Sequence, residues 1–226
     1  MATNNSINNT SNPLATTAAT IDPAAAADSY VQFNVNGSGK FRVGDDQSAS
    51  DAFKISAGSG LGTNDTLIMT TSGQQRLPLQ PSFVAKPSAG LVDETGDGTA
   101  YTVVYASEDF DQGSNFSTST FTAPVAGKYY LYQTTRWVGV ALTSTSYSMK
   151  FNKNAGSATY ENNLFNPVLI GVIGGGEAAF STNAGIVISL AASDTVSVTA
   201  TIGGVSKTSD INGTSQSTFF GGYLIC

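Results

Sequence analysis

The sequence predicts an all-β protein: an antiparallel sandwich over residues 81–226, a smaller β-rich module over 29–80 and an extended arm over 1–28. Three observations carry this. From Tyr30 onward, apolar and aromatic residues alternate with polar ones in short runs, the period of strands with one buried face. Gly, Asn, Asp and Pro punctuate these runs at turn positions. Residues 1–28 show no alternation at all.

The arm, MATNNSINNTSNPLATTAATIDPAAAAD, carries only scattered apolar groups, so alone it buries too little surface to offset its ordering entropy. Two readings stay open: a flexible leader, or a docking arm that orders against another protein or sister subunits. In the second, Ile7, Leu14 and Ile21 are the anchors that must find pockets. Ala24–Ala27 after Pro23 are too short for more than a marginal helical turn.

Tyr30–Val35 and Lys40–Gly44 flank Asn36-Gly37, a hairpin signal, and short strands follow at Phe53–Ile55 and Thr66–Met69 around Gly58–Gly62. With few apolar residues this module closes a poor core as a monomer, whereas three copies about an axis can share one. Gln74–Phe83, with Pro78 and Pro81, reads as an extended linker and places the boundary there.

In the longest patterned stretch, Tyr105–Gln133, residues Phe121, Pro124, Gly127, Tyr129 and Leu131 alternate around a Pro/Gly break: a strand, a corner and a second strand. Generic antiparallel sandwiches share such alternation. The ordered series Tyr105, Asp111, Phe116, Phe121, Gly127, Tyr129, Leu131 also resembles the globular head of complement component one, subcomponent q, a relative of the tumour necrosis factor jelly rolls. Leu190–Val198 resembles that family's penultimate strand, and Phe220-Gly-Gly222-Tyr223-Leu224 its closing strand. The resemblance covers about residues 84–226. Phe83-Val-Ala stands where the family has an aromatic first strand, whereas Gln133 stands where an aromatic is common. It implies a jelly roll with first and last strands adjacent, assembled as a homotrimer around an aromatic-lined axis. Phe116, Phe121, Gly127, Tyr129, Leu131, Phe220, Gly222 and Tyr223 are then its core.

Composition excludes several functions. With no histidine among 226 residues, Ser-His-Asp and Cys-His catalysis is impossible and the commonest metal ligand is missing. Ten Lys and Arg against sixteen Asp and Glu give a charge of −6, so a nucleic-acid partner is not expected. No apolar run is long enough for a membrane helix, and none is expected. The sole cysteine, Cys226, rules out an intrachain disulfide and is expected as a thiol packed on the last strand, with an interchain bridge as the alternative. Lys40 is the first basic residue, so export by the general secretory route is not expected.

Local motifs add little chemistry. Glu108, Asp109 and Asp111 are expected as solvated acids at a strand end or loop, because neighbouring strand carboxylates point to opposite faces. Asp93–Gly98 reads as an acidic turn, with calcium as its alternative; otherwise no cofactor is expected. Gly171–Gly176 lacks the Lys-Ser/Thr of a phosphate loop and reads as a tight bend. Trp137 is either a buried anchor or a sugar-stacking platform.

The expectation is a non-enzymatic virion protein: a trimeric fibre or head-decoration subunit of a tailed bacteriophage, assembled in the host cytoplasm. Its N-terminal region would bind a capsid or tail protein, and its head a host-surface glycan or protein. The alternatives are a capsid cement protein without receptor role and a soluble lectin-like or cytokine-like ligand.

Overall fold

The computed structural model describes residues 21, 27–141, 143–164, 178–213 and 217–226. The chain forms two compact units, divided between Pro78 and Leu79. Ile7, Leu14 and Gly171–Gly176 lie outside the described residues, and Ile21 is exposed.

The smaller unit is an antiparallel five-stranded sheet in chain order: β1 (Ser29–Val35), β2 (Ser38–Asp46), β3 (Ala52–Ala57), β4 (Asp65–Met69) and β5 (Gln75–Arg76). Asn36 and Gly37 join β1 to β2 with φ of 51° and 77°; a tight hairpin turn needs positive φ at both, which Asn-Gly tolerates best. Part of the expected linker is strand, since Gln75 and Arg76 pair with Met69 and Ile68.

The faces of this sheet invert the usual arrangement. Asp46, Lys54, Ser56 and Asp65 are buried on one side. Lys54 Nζ lies 2.7 Å from Asp46 Oδ2 and 3.0 Å from Asp65 Oδ2, with Ser48 donating to Asp46 and Ser56 and the Gly62 N–H to Asp65. On the opposite side Val31, Val43, Ile55 and Leu67 stand in register across four strands, flanked by the register pair Phe33 and Phe41.

The larger unit is a two-sheet jelly-roll-like sandwich. Its strands are β6 (Ser82–Lys86), β7 (Leu91–Thr95), β8 (Tyr101–Thr102), β9 (Ser107–Gln112), β10 (Phe116–Ser117), β11 (Thr120–Thr122), β12 (Gly127–Val140), β13 (Ser146–Lys153), β14 (Ala158–Leu164), β15 (Ala178–Leu190), β16 (Thr195–Gly203), β17 (Ser209–Ile211) and β18 (Phe219–Leu224). One sheet runs β10-β11-β16-β13-β14 with β8 beside β16; the other runs β7-β17-β12-β18-β6-β9 with β15 paired to β12. The unit's first and last strands, β6 and β18, are therefore neighbours.

Between the sheets the core centres on Phe83, whose ring lies 4.9 Å from Phe116, 4.8 Å from Phe121 and 5.0 Å from Phe220. Tyr129 and Leu131 are buried beside them, Gly222 is buried and Gly127 half-buried. Trp137 is fully buried, edge-on to Tyr147, and its Nε1–H donates to Thr182 Oγ1, so it is not a sugar platform.

Three expectations are corrected. Tyr223 is not core: Phe220 and Gly222 face inward, so strand alternation turns Tyr223 outward, where it is 47% exposed. Leu190–Val198 is not one strand but a turn from one sheet to the other, β15 ending at Leu190 beside β12 and β16 starting at Thr195 beside β11 and β13. Ser193 there has φ 71°, and Asp194 accepts from the Ala191 N–H. Cys226 is exposed beyond the end of β18, although its carbonyl accepts the Lys128 N–H at 2.7 Å.

Candidate binding face

Alternation along β12 sends Tyr129, Leu131, Gln133, Thr135 and Trp137 into the core and Tyr130, Tyr132 and Thr134 to the outer side of the sheet. Residues in register with them extend this outer face. Gly185, Tyr132, Gly221, Val84 and Phe110 form one row across β15, β12, β18, β6 and β9; Val187, Tyr130 and Tyr223 form the next.

The rings make a continuous strip. Tyr130 lies 5.7 Å from Tyr132 and 5.6 Å from Tyr223, and Tyr132 lies 6.1 Å from Phe219. Two glycines let them lie close to the sheet: a Cβ at Gly221 would stand 2.6 Å from Cζ of Tyr132, and one at Gly185 2.6 Å from the Tyr130 hydroxyl. The neighbouring Gly222 serves the other side, where a Cβ would stand 2.5 Å from Leu131 Cδ2. The Gly221-Gly222 pair thus admits a ring outside and core packing inside.

A trough of about 470 Å³ runs along the strip, lined by Tyr130, Tyr132, Thr134, Asn183, Gly185 and Phe219. Burial pushes the Tyr132 phenol up, and the neighbouring Tyr130 and Tyr223 add to the shift, so it stays protonated across the physiological range. Between Tyr130 and Thr134 the outward side of β12 carries no charge. The Lys86–Asp109 ion pair lines a pocket with Val84, Tyr132 and Phe219, and Lys128 and Arg136 stand at outward positions to either side of the strip. Such a surface offers apolar area and neutral hydroxyls, which suit a packed or stacked partner.

The sequence-predicted acids do not converge. Glu108, Asp109 and Asp111 lie on strand β9 rather than a loop. Asp109 pairs with Lys86, and Asp111 accepts the N–H groups of Asn115 and Phe116, stapling the turn into β10. In the Asp93–Gly98 segment, Asp97 accepts the Thr99 N–H; that bond and one from the Thr99 side chain hold its carboxyl below the usual range. Among the described residues no group of three or more Asp, Glu, His or Cys stands where it could hold a metal, and no helix is long and apolar enough to cross a membrane.

Sequence reasoning singled out the buried partners of these strands and passed over Tyr130, Tyr132, Phe219, Gly185 and Gly221. The signal was present: once Tyr129 and Leu131 are inward, parity turns Tyr130 and Tyr132 outward, and large aromatics at successive outward positions are unusual for a solvated face.

The protein is therefore an all-β protein with a jelly-roll-like sandwich. Among solved structures it resembles the globular domain of the zebrafish complement 1qA protein, at 17% identity and a TM-score of 0.45, over 65% of this chain and 98% of that chain. It also resembles murine APRIL in the structure at pH 5.0, at 12% identity and a TM-score of 0.45, over 65% of this chain and 99% of that one. No family model matches the sequence, and no curated protein matches it.

Proposed function

We propose that the chain is a non-enzymatic binding protein that assembles as a homotrimer through the outer face of the large sheet and presents its loops to a partner, as a lectin-like or cytokine-like ligand does. The observation that supports this is the uncovered aromatic strip of Tyr130, Tyr132, Phe219 and Tyr223. Its rings stack on one another, its centre is uncharged, and glycines hold it flat, which is the character of an interface core rather than of solvated surface. For copies of a chain of net charge −6 the face is favourable, because the acid beside the strip, Asp109, is already paired with Lys86. Three heads acting together would let weak single contacts bind firmly.

The test is light scattering of the wild-type chain and of Tyr132→Asp and Tyr223→Asp. Neither side chain is part of the core, so both variants should fold. Wild type should run as a trimer at micromolar concentration, and each variant should dissociate at higher protein concentration than wild type does. A monomeric wild type, or variants that assemble unchanged, would overturn the proposal.

A narrower version sets this trimer on a virion as a fibre or decoration subunit, attached through the N-terminal region with the head outward to a host glycan or protein. The hydroxyl-rich composition with only 12% charged residues favours it. Labelling the protein in purified particles tests it: absence from particles would leave the soluble ligand.

A further inference from the structure

The smaller unit has the reverse of a normal core. Among its described residues the buried apolar side chains are only Ala52 and Ile68, and none of them belongs to the large core cluster. Phe33 and Phe41 are 54% and 49% exposed, and Phe53 and Val31 are exposed beside them. A single-layer sheet that buries ions and exposes its phenylalanines needs something over its apolar face.

We propose that this face is covered by the same face of other copies of the chain, so that three small sheets enclose a shared core separate from the head interface. The number of copies rests on the trimer proposed above; the face itself is an independent observation.

Two features select a second copy as the occupant. The row Val31–Val43–Ile55–Leu67 and the pair Phe33–Phe41 run across the sheet without a charged residue, and Asp45, paired with Phe53, stands only at the edge. Copies of an acidic chain meet there without placing like charges opposite one another. The chain's own N-terminal arm is a poorer cover, because its large aliphatic residues are Ile7, Leu14 and Ile21, with no aromatic to set against the phenylalanines.

The test uses the full chain in a Cys226→Ser background, with Val43→Cys on the apolar face or Thr63→Cys on an exposed loop, treated with a short bismaleimide. Val43→Cys should give covalent dimers as its main product, and Thr63→Cys should stay largely single. In parallel, Phe33→Asp with Phe41→Asp, both on exposed positions and so tolerated by the fold, should lower the mass measured by light scattering on dilution.

If Val43→Cys crosslinks no better than Thr63→Cys in a chain that is still trimeric, this interface is overturned and the head proposal stands. If it crosslinks well while Tyr132→Asp leaves the mass unchanged, the head proposal fails and this one stands. A crosslink within one chain between Val43→Cys and Leu14→Cys would assign the face to the N-terminal arm and overturn the proposal.

Discussion

Replacing Lys54 by Met should bring the small sheet to the edge of unfolding while leaving the sandwich intact. Its side chain is 7% exposed, and those of its partners Asp46 and Asp65 are 4% and 8% exposed. Methionine keeps most of the volume but leaves two carboxylates buried near one another without a cation, a loss of about 3–5 kcal/mol for a broken buried pair. A unit of roughly 50 ordered residues has only about 3–7 kcal/mol in hand, so the sheet is brought to the edge of unfolding. Acid should act on the same triad. The Lys54 hydrogen bond holds the Asp46 carboxyl down; for Asp65, burial raises it, but hydrogen bonds from Ser56 and Lys54 outweigh that. Groups with a depressed folded value stabilise above their unfolded value and lose that contribution as pH falls through the folded one. The Lys54 ammonium, which burial lowers but Asp46 and Asp65 raise further, keeps its contribution until strongly alkaline pH. The triad's stabilisation is therefore complete between the ordinary values of 3.8 and 10.5 and fades below the first. Hydrogen exchange on the full chain measures both effects by unit. Protection in β3 and β4 should fall in Lys54→Met at neutral pH, and in wild type below pH 3.8, before protection in β12 and β16 changes. Unchanged protection in β3 and β4 of Lys54→Met would refute the reasoning.

Phe83→Ala removes the ring on which Phe116, Phe121 and Phe220 converge, a cost of about 3–5 kcal/mol. For a unit of about 150 residues that lowers Tm by roughly 10–15 °C by calorimetry, whereas Asp97→Ala should leave Tm within about 2 °C. Gly221→Val forces the Tyr132 ring off the sheet. It should weaken trimer formation by light scattering with a smaller loss of Tm than Phe83→Ala; an unchanged assembly would show that the ring's position does not matter.

The sequence by itself determined the all-β class and much of the head's interior. Phe121, Tyr129, Leu131 and Phe220 announce buried positions because a strand repeats every two residues, and Asn36-Gly37 announces its hairpin because few residues accept positive φ. The absence of histidine excludes Ser-His-Asp and Cys-His catalysis from the sequence alone. Only the tertiary structure decided which face of each strand met the core. Tyr223 carried the motif of a core residue yet lies outside, because a one-residue difference in parity moves a side chain across the sheet. The binding face depends on register between strands far apart in sequence: Gly185 and Gly221 come to lie on either side of Tyr132 only after β15 and β18 pair with β12. The small sheet shows the same dependence. Its alternation is plain in the sequence, but period alone cannot say which side is covered, and here the Asp46–Lys54–Asp65 network took the buried side and left the phenylalanines exposed.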